Sequence, residues 1–171
     1  DNTDTACSVS IGDTDYHFFD GSNTFLEWLK NVVAFRTGLY GSAIGFDACS
    51  ADLFAKMKDD MSISRKQVFV GYSRGGALAM MTLIRHSEMC YHRKVKPRAE
   101  LVTFEMPKAG SRRLRKRCEK LGFEHTRIVM AGDKVPAIVW WWCKQYTTKL
   151  ITLRNSEKGW KNKHKNVEKY L

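Results

Sequence analysis

The sequence has only three prolines, and it contains no low-complexity tract and no internal repeat. Linkers and repeat arrays need such features, so we expect one domain over residues 1–171. The longest apolar run, residues 135–143, falls short of the roughly 20 residues of a membrane-spanning helix. Residues 1–4 lack the basic start and apolar core of a signal peptide, and no leader is visible.

Cysteines are few, odd in number and widely spaced, with five in 171 residues. There is no Cys-x-x-Cys motif and no cluster of cysteine with histidine, so we predict neither a metal site nor a cofactor. Five thiols cannot all pair within the chain, which favours mostly reduced cysteines and a reducing, cytoplasmic compartment. One or two disulfides would leave the same sequence, and that alternative stays open.

The most informative motif that is present is the pentapeptide Gly-Tyr-Ser-Arg-Gly, centred on Ser73. Residues 67–70 are β-branched and aromatic and predict a buried strand, and residues 76–84 predict a buried helix. A serine on so sharp a strand-to-helix turn has an exposed hydroxyl, and small residues such as Gly71 and Gly75 must flank it. We therefore predict that Ser73 is a nucleophile; the structural alternative is a glycine-rich turn with an incidental serine.

After this serine the sequence offers little choice of an aspartate and a later histidine for a triad. Asp133 is the single aspartate that follows Ser73, although glutamates remain, and His164 is the single histidine that follows Asp133. Ser, Asp and His in this order form the triad of α/β-hydrolases. Asp133 follows a strand predicted at residues 127–131. His164 follows one predicted at residues 147–153, in a lysine-rich segment where a solvated surface histidine is the alternative.

Five segments in the same order resemble the class 3 (fungal-type) lipases, an α/β-hydrolase family. The family elbow G-H-S-L-G-G-A-L-A is similar to residues 71–79. The family signatures T-F-G-x-P-R-x-G and D-x-V-P are similar to residues 103–110 and 133–136. A Gly-[Ser/Thr] block that ends in tryptophan resembles residues 21–28, and a Gly-Phe pair matches residues 45–46.

The chain also departs from the family pattern. Tyr72 stands in place of the usual histidine, Arg74 in place of leucine, Asp20 in place of arginine and Glu105 in place of glycine. The three triad residues are present, so these changes affect substrate preference more than catalysis. The interval of residues 133–164 is short for the family and implies a compact, minimal version of its fold.

The resemblance implies an α/β fold, with a central, mostly parallel sheet and helices on both faces. It also implies that Ser73 attacks an ester carbonyl while His164 accepts the proton and Asp133 orients the imidazole. The elbow itself predicts that the backbone N–H of Arg74 binds the oxyanion. The family adds Ser22 as the second donor; its structural alternative is an N-cap for the next helix.

Two aromatic segments are candidates for a lid or an acyl pocket. The helix predicted at residues 23–35 occupies the position of the family's lid, and an ordinary helix packed on the core explains its pattern equally well. Three adjacent tryptophans follow the turn of Asp133 and could line a pocket, enter a lipid interface or pack in the core. The candidate residues are Phe25, Leu26, Trp28, Leu29, Trp140, Trp141 and Trp142.

The net charge of +11 is carried by clusters at residues 93–98, 112–120 and 158–169. Residues 114, 118 and 121 are apolar at helical spacing, so the middle cluster predicts an amphipathic helix with a basic outer face. Such a surface attracts anionic lipid headgroups, and it attracts nucleic acid by the same physics. We favour an anionic membrane surface as partner over nucleic acid, and a merely solvated face is the simplest alternative.

Together these patterns predict a serine hydrolase of carboxylic esters that acts on lipids, with phospholipid ahead of neutral glyceride because of the charge. A soluble short-chain esterase or thioesterase on the same triad is one alternative. The other is a basic module that binds membrane or nucleic acid and keeps vestigial hydrolase machinery.

Overall fold

The computed structural model describes residues 6–21, 38–136 and 146–154. A short 3-10 turn, Leu39–Gly41, precedes the first helix. The strands are β1 (Ala6–Ile11), β2 (Thr14–Phe19), β3 (Lys66–Tyr72), β4 (Ala99–Phe104), β5 (Glu124–Met130) and β6 (Lys149–Leu153), and the helices are α1 (Ile44–Met57), α2 (Arg74–His92) and α3 (Arg112–Leu121).

These strands form one six-stranded sheet in chain order, from β1 to β6. β1 and β2 are an antiparallel hairpin whose turn contains Gly12 at φ 58°, a backbone angle that glycine adopts without strain. Every later pair, from β2–β3 to β5–β6, is parallel. The predicted α/β class with a central, mostly parallel sheet is confirmed.

The described helices lie on one face of this sheet. Parallel strands in consecutive order, joined by right-handed crossovers, place every connecting helix on the same side. α2 contacts β2, β3 and β4 beneath it and has α1 and α3 beside it. Helices on both faces were predicted. Among the residues that the structure describes, the prediction is confirmed for one face.

The core forms between α2 and the sheet. Fully buried side chains such as Phe69 on β3 and Leu101 on β4 face Leu78 and Met81 of α2. Fourteen of the nineteen residues of α2 are buried, which explains why its sequence is apolar nearly all round.

The buried face of β2 carries polar residues. Asp15 and His17 are 5% and 2% exposed, and Gln67 on the neighbouring strand is fully buried. Gln67 Nε2 donates to Asp15 at 2.8 Å, and its Oε1 lies 2.7 Å from His17 Nε2. Arg65 Nε donates to Asp15 at 2.8 Å. These groups satisfy one another, which burial requires of polar atoms.

Predicted and observed elements agree closely. The strands predicted at residues 67–70, 127–131 and 147–153 correspond to β3, β5 and β6, with boundaries that differ by at most three residues. The predicted amphipathic helix is α3, which buries Leu114, Cys118 and Leu121. The helix predicted at residues 23–35 falls outside the described residues.

Within the described ranges, no helix is long and apolar enough to cross a membrane. The same ranges contain no group of three or more side chains arranged to hold a metal ion. Among the described cysteines, Cys7, Cys90 and Cys118 are free thiols, and the last two are buried.

Candidate active site

Ser73 lies in a strained turn between β3 and α2. Its backbone angles are φ 51° and ψ −121°, outside the regions that side-chain-bearing residues normally occupy. Its N–H donates to the carbonyl of Phe104 at 2.8 Å, and its own carbonyl accepts from the N–H of Gly76 at 3.1 Å. The turn is thus held from β4 on one side and from the first turn of α2 on the other.

Two glycines allow the chain to pass through this turn. A Cβ atom at Gly71 would lie 2.3 Å from the carbonyl oxygen of Gly75. A Cβ at Gly75 would lie 2.2 Å from the carbonyl oxygen of Phe19, at the end of β2. Because these oxygen atoms belong to the backbone, neither position has room for a side chain. Helix α2 can therefore start directly against the ends of β2 and β3.

The ladder of backbone hydrogen bonds continues one residue past the ends of the strands and places three turns at one edge. Ser73 N donates to Phe104 O at 2.8 Å, Glu105 N to Ile128 O at 2.9 Å and Ala131 N to Leu153 O at 2.7 Å. This edge holds the carboxyl ends of the parallel strands, where α/β proteins place their ligand sites. Ser73 and the turn of Asp133 are therefore on the same edge of the sheet.

Asp133 lies in a tight turn that follows β5. Its N–H donates to the carbonyl of Met130 at 3.1 Å, and its Oδ1 accepts from the N–H of Val135 at 2.8 Å. Arg127, on β5, donates from Nη2 to the carbonyls of Met106 and Pro136 at 3.1 and 3.2 Å. Arg127 thereby ties the loop after β4 to the loop after β5 and orders the region around the acid.

Arg74, the first residue of α2, offers its backbone N–H at the positive end of a 19-residue helix. Its side chain is 8% exposed and donates from Nη2 to the sulfur of Cys49 at 3.3 Å. The guanidinium is thus directed into the protein, toward α1. Arg74 replaces the family's leucine as a buried residue and does not extend into solvent.

The histidines of the described ranges are badly placed to serve as the base. In the sheet, His17 pairs with Phe69 and His125 pairs with Leu101. Phe69 and Leu101 each lie four residues before the turn that follows their strand, so both histidines are about 13 Å from the carboxyl edge of the sheet. His86 and His92 lie along α2, about 20 and 28 Å from Ser73 at 1.5 Å per residue. Burial lowers the pKa of His86 and His125 to about 4, so both stay neutral.

A second contact between serine and histidine occurs on the β1–β2 hairpin. Ser8 Oγ lies 2.7 Å from Nδ1 of His17, whose Nε2 is bonded to Gln67. Ser8 is in the middle of the regular strand β1 and has neither a strained turn nor a helix start beside it. The pair belongs to the polar network of the hairpin, and it provides a useful control serine.

The remaining predicted site residues lie outside the described residues. They are Ser22, Phe25, Leu26, Trp28, Leu29, Trp140, Trp141, Trp142 and His164. Glu105, which the sequence marked only as a departure from the family, is in contrast fully buried beside Asp133. Its charge gave no signal of this location, because a glutamate after a strand is most often exposed.

Comparison with protein families gives a match to the family model "Lipase (class 3)" over residues 16–141. The chain belongs to the class 3 lipase family. The match includes the elbow and the turn of Asp133 and ends before His164. Comparison with curated protein sequences finds no match.

Solved structures of fungal lipases share the fold. A lipase from Rhizopus microsporus var. chinensis is 20% identical, with a TM-score of 0.63, over 82% of this chain and 54% of that one. A mutant of MDLA from Penicillium cyclopium is 19% identical, with a TM-score of 0.64, over 85% and 57%. The Rhizomucor miehei lipase in its propeptide complex is 22% identical, with a TM-score of 0.61, over 74% and 44%. The chain thus spans about half the length of these lipases.

The glycine contacts predict the cost of crowding the elbow. Gly71→Ala should destabilise the protein by about 3 kcal/mol, because its methyl group would meet backbone atoms that cannot move aside. Gly122→Ala is the matched control: Gly122 has φ 69° but nothing within 4 Å of a new Cβ, so only the backbone cost of about 1 kcal/mol applies. Urea unfolding measures both, and equal losses would contradict the packing described for the elbow.

Proposed function

We propose that this chain is a serine hydrolase of lipid carboxylic esters, with Ser73, Asp133 and His164 as its triad. The observation that carries the proposal is the strained backbone of Ser73, held where a strand ends and a helix begins. Strain of this kind persists where the surrounding structure holds it and is concentrated at functional sites. The location of Asp133 at the same edge of the sheet supports the proposal.

In the proposed reaction Ser73 Oγ attacks the ester carbonyl while His164 takes the hydroxyl proton. The tetrahedral intermediate then collapses, the alcohol leaves with the proton from His164, and the acyl group stays on Ser73. Water repeats the sequence, with His164 again as the base, and releases the fatty acid. Asp133 stays ionised and stabilises the imidazolium. The choice of His164 is supported by the remoteness of the four described histidines from Ser73.

The oxyanion is proposed to bind two donors. The backbone N–H of Arg74 follows the nucleophile directly and has the positive end of α2 behind it. Ser22 is proposed as the second donor because Gly21, the residue before it, packs beside Tyr72 of the elbow: a Cβ on Gly21 would lie 3.1 Å from the Tyr72 ring. Losing one such donor costs about 2.7 to 4 kcal/mol of transition-state stabilisation.

A basic surface near this edge favours anionic phospholipid as substrate. α3 runs from the loop after β4 to the start of β5, so its first residues lie at the carboxyl edge of the sheet. Arg112 and Arg113 are exposed there, and the first turn contains no acidic residue. Positive charge at a helix N-terminus opposes the helix dipole. These arginines therefore do not serve the stability of α3, which supports a role in binding anions.

Two aromatic segments are proposed to take part in lipid binding. Phe25, Leu26, Trp28 and Leu29 are proposed to form a lid, and the three tryptophans at residues 140–142 to form an acyl pocket or a lipid contact. The similar structures named above are lipases, which agrees with a lipid ester as substrate. Nucleic acid is the less favoured partner, because a hydrolase of carboxylic esters finds its substrate in lipids and nucleic acid contains no such ester.

The function is tested by fatty-acid release from anionic phospholipid vesicles and by cleavage of a short soluble ester. Ser73→Ala should lower release at least about 1,000-fold, because the nucleophile is gone. Ser8→Ala is the matched control and should keep full activity, since Ser8 is an exposed serine beside a histidine but away from the elbow.

Each alternative has its own result in this experiment. Serine-dependent turnover of the soluble ester alone would identify an esterase and contradict the lipid substrate. Vesicle binding without serine-dependent turnover of either substrate would identify a binding module.

The charges of Arg112 and Arg113 should affect membrane binding more than charges at the opposite edge of the sheet. The double variant Arg112→Gln/Arg113→Gln should weaken binding to anionic vesicles roughly 30-fold at low salt, at about 1 kcal/mol per residue. Its stability should be unchanged or higher, because both arginines oppose the helix dipole.

The control variant Lys58→Gln/Lys120→Gln removes the same charge from the opposite edge of the sheet, where α1 and α3 end. It should leave vesicle binding nearly unchanged. Vesicle co-sedimentation at several salt concentrations measures both variants. Equal weakening by the two would show that net charge, and not an oriented surface, drives binding.

A further inference from the structure

Glu105 lies in a backbone conformation that is unusual for a residue with a side chain. It follows β4 directly and has φ 52°, the left-handed region that glycine occupies without strain. Its N–H donates to the carbonyl of Ile128 at 2.9 Å, and its side chain is fully buried. A glycine would satisfy this backbone at less cost, so the carboxyl group is kept for the contacts that it makes.

One carboxyl oxygen of Glu105 supports the turn that carries Asp133. Oε1 accepts a hydrogen bond from the N–H of Met130, the last residue of β5. The carbonyl of the same Met130 accepts from the N–H of Asp133 at 3.1 Å. Glu105 thus binds the N–H of the same residue, Met130, whose carbonyl accepts the first hydrogen bond of the turn. The end of β4 and the acid-bearing turn are joined through Met130.

The carboxyl group of Glu105 also has an acid as its neighbour. Oε2 of Glu105 is buried and finds no donor among the residues that the structure describes. The hydrogen-bonding neighbour of this carboxyl is the side chain of Asp133. Two ionised carboxylates both accept and neither donates, so without a proton they repel. A single proton between them turns the contact into an O–H···O hydrogen bond, which is among the strong ones.

The surroundings decide which acid holds the proton. Burial, and to a lesser extent the contact with Asp133, raises the pKa of Glu105 to about 9. Among the described residues, Arg127 is the cation that acts against this shift, and its Nη2 is committed to the carbonyls of Met106 and Pro136. Each acid accepts a backbone N–H, Glu105 from Met130 and Asp133 from Val135, so these bonds do not distinguish the two. Burial does, because Glu105 is fully buried and Asp133 only partly, and burial disfavours the ionised form.

We propose that Glu105 is a positioning residue that stays protonated and donates its O–H to the carboxylate of Asp133. The hydrogen bond holds this carboxylate in one orientation and keeps it ionised, as the acid of a triad must be. The inference rests on the proposed function through the role of Asp133 in catalysis. The proton-sharing itself can be measured without turnover.

A protonated Glu105 makes the stability of the folded protein depend on pH. The folded pKa of Glu105 lies above the usual glutamate value, so between pH 4.5 and about 9 the folded protein keeps a proton that the unfolded chain has lost. The free energy of unfolding therefore falls as pH rises through this window. Glu105→Gln removes the titration, keeps a donor and an acceptor, and should flatten this dependence.

The first experiment is infrared spectroscopy of the carboxyl C=O stretch. At neutral pH the protein should show the band of a buried protonated carboxyl, which disappears on titration near pH 9. Glu105→Gln should lack the band. Glu100→Gln should keep it, because Glu100 is a half-exposed glutamate on the same strand whose carboxylate pairs with Lys66 at 2.6 Å. A band that survives Glu105→Gln, or its absence from the wild-type protein, would overturn the proposal.

A further variant distinguishes the two acids. In Asp133→Asn the band should persist at about pH 6, because burial alone still disfavours the charged form of Glu105. It should titrate at lower pH than in the wild type, since the neighbouring negative charge is gone. Loss of the band in Asp133→Asn would place the proton on Asp133 and contradict the proposal.

Kinetics then test the positioning role. Glu105→Gln should keep kcat within about three-fold near neutral pH and lose the fall in kcat near pH 9 that ionisation of Glu105 causes. Glu105→Gly suits the backbone but removes the donor, and it should lower kcat about 100-fold with little change in KM. Unchanged kcat in Glu105→Gly would overturn the role. An inactive wild-type protein with the infrared band in place would instead refute the proposed function alone.

Discussion

The fold around the candidate active site depends on how closely α2 approaches the ends of β2 and β3. Only the absence of side chains at Gly71 and Gly75 allows backbone atoms to come this near, because any Cβ there would lie within 2.3 Å of a carbonyl oxygen. This approach keeps Ser73 at a positive φ and places the N-terminus of the long helix α2 directly after it. The packing of α2 over the sheet then stabilises a turn that would be unfavourable in isolation.

The second constraint on the site is the ladder of backbone hydrogen bonds that continues past the ends of the strands. Single backbone hydrogen bonds beyond the ends of β3, β4 and β5 bring the turns of Ser73, Glu105 and Asp133 to one edge. The serine and the acid are 60 positions apart in sequence, yet parallel register alone places them together. Arg127 and Glu105 add side-chain ties between the same loops. Positioning at this edge therefore comes from the sheet, and the loops contribute the chemistry.

Much of this arrangement could be predicted from local patterns. The apolar run before Gly71, the small residues after Gly75 and the apolar spacing of α3 each reflect burial of a single element, and the structure confirms those elements. The β1–β2 hairpin was not predicted, because its buried face carries Asp15 and His17, which look exposed until Gln67 is placed opposite. The contact between Glu105 and Asp133 was equally hidden: it exists only after β4 and β5 pair, and no local pattern encodes that register.

Covalent labelling with a fluorophosphonate, which reacts with activated serines and needs no knowledge of the substrate, is the most direct test of Ser73 as a nucleophile. Mass spectrometry of the labelled protein should find a single adduct, on Ser73. The adduct should be lost in His164→Ala, because the proposed base would no longer activate the hydroxyl. Labelling of Ser8, labelling that is unaffected by His164→Ala, or no labelling at all would contradict the claim that the elbow carries a working triad.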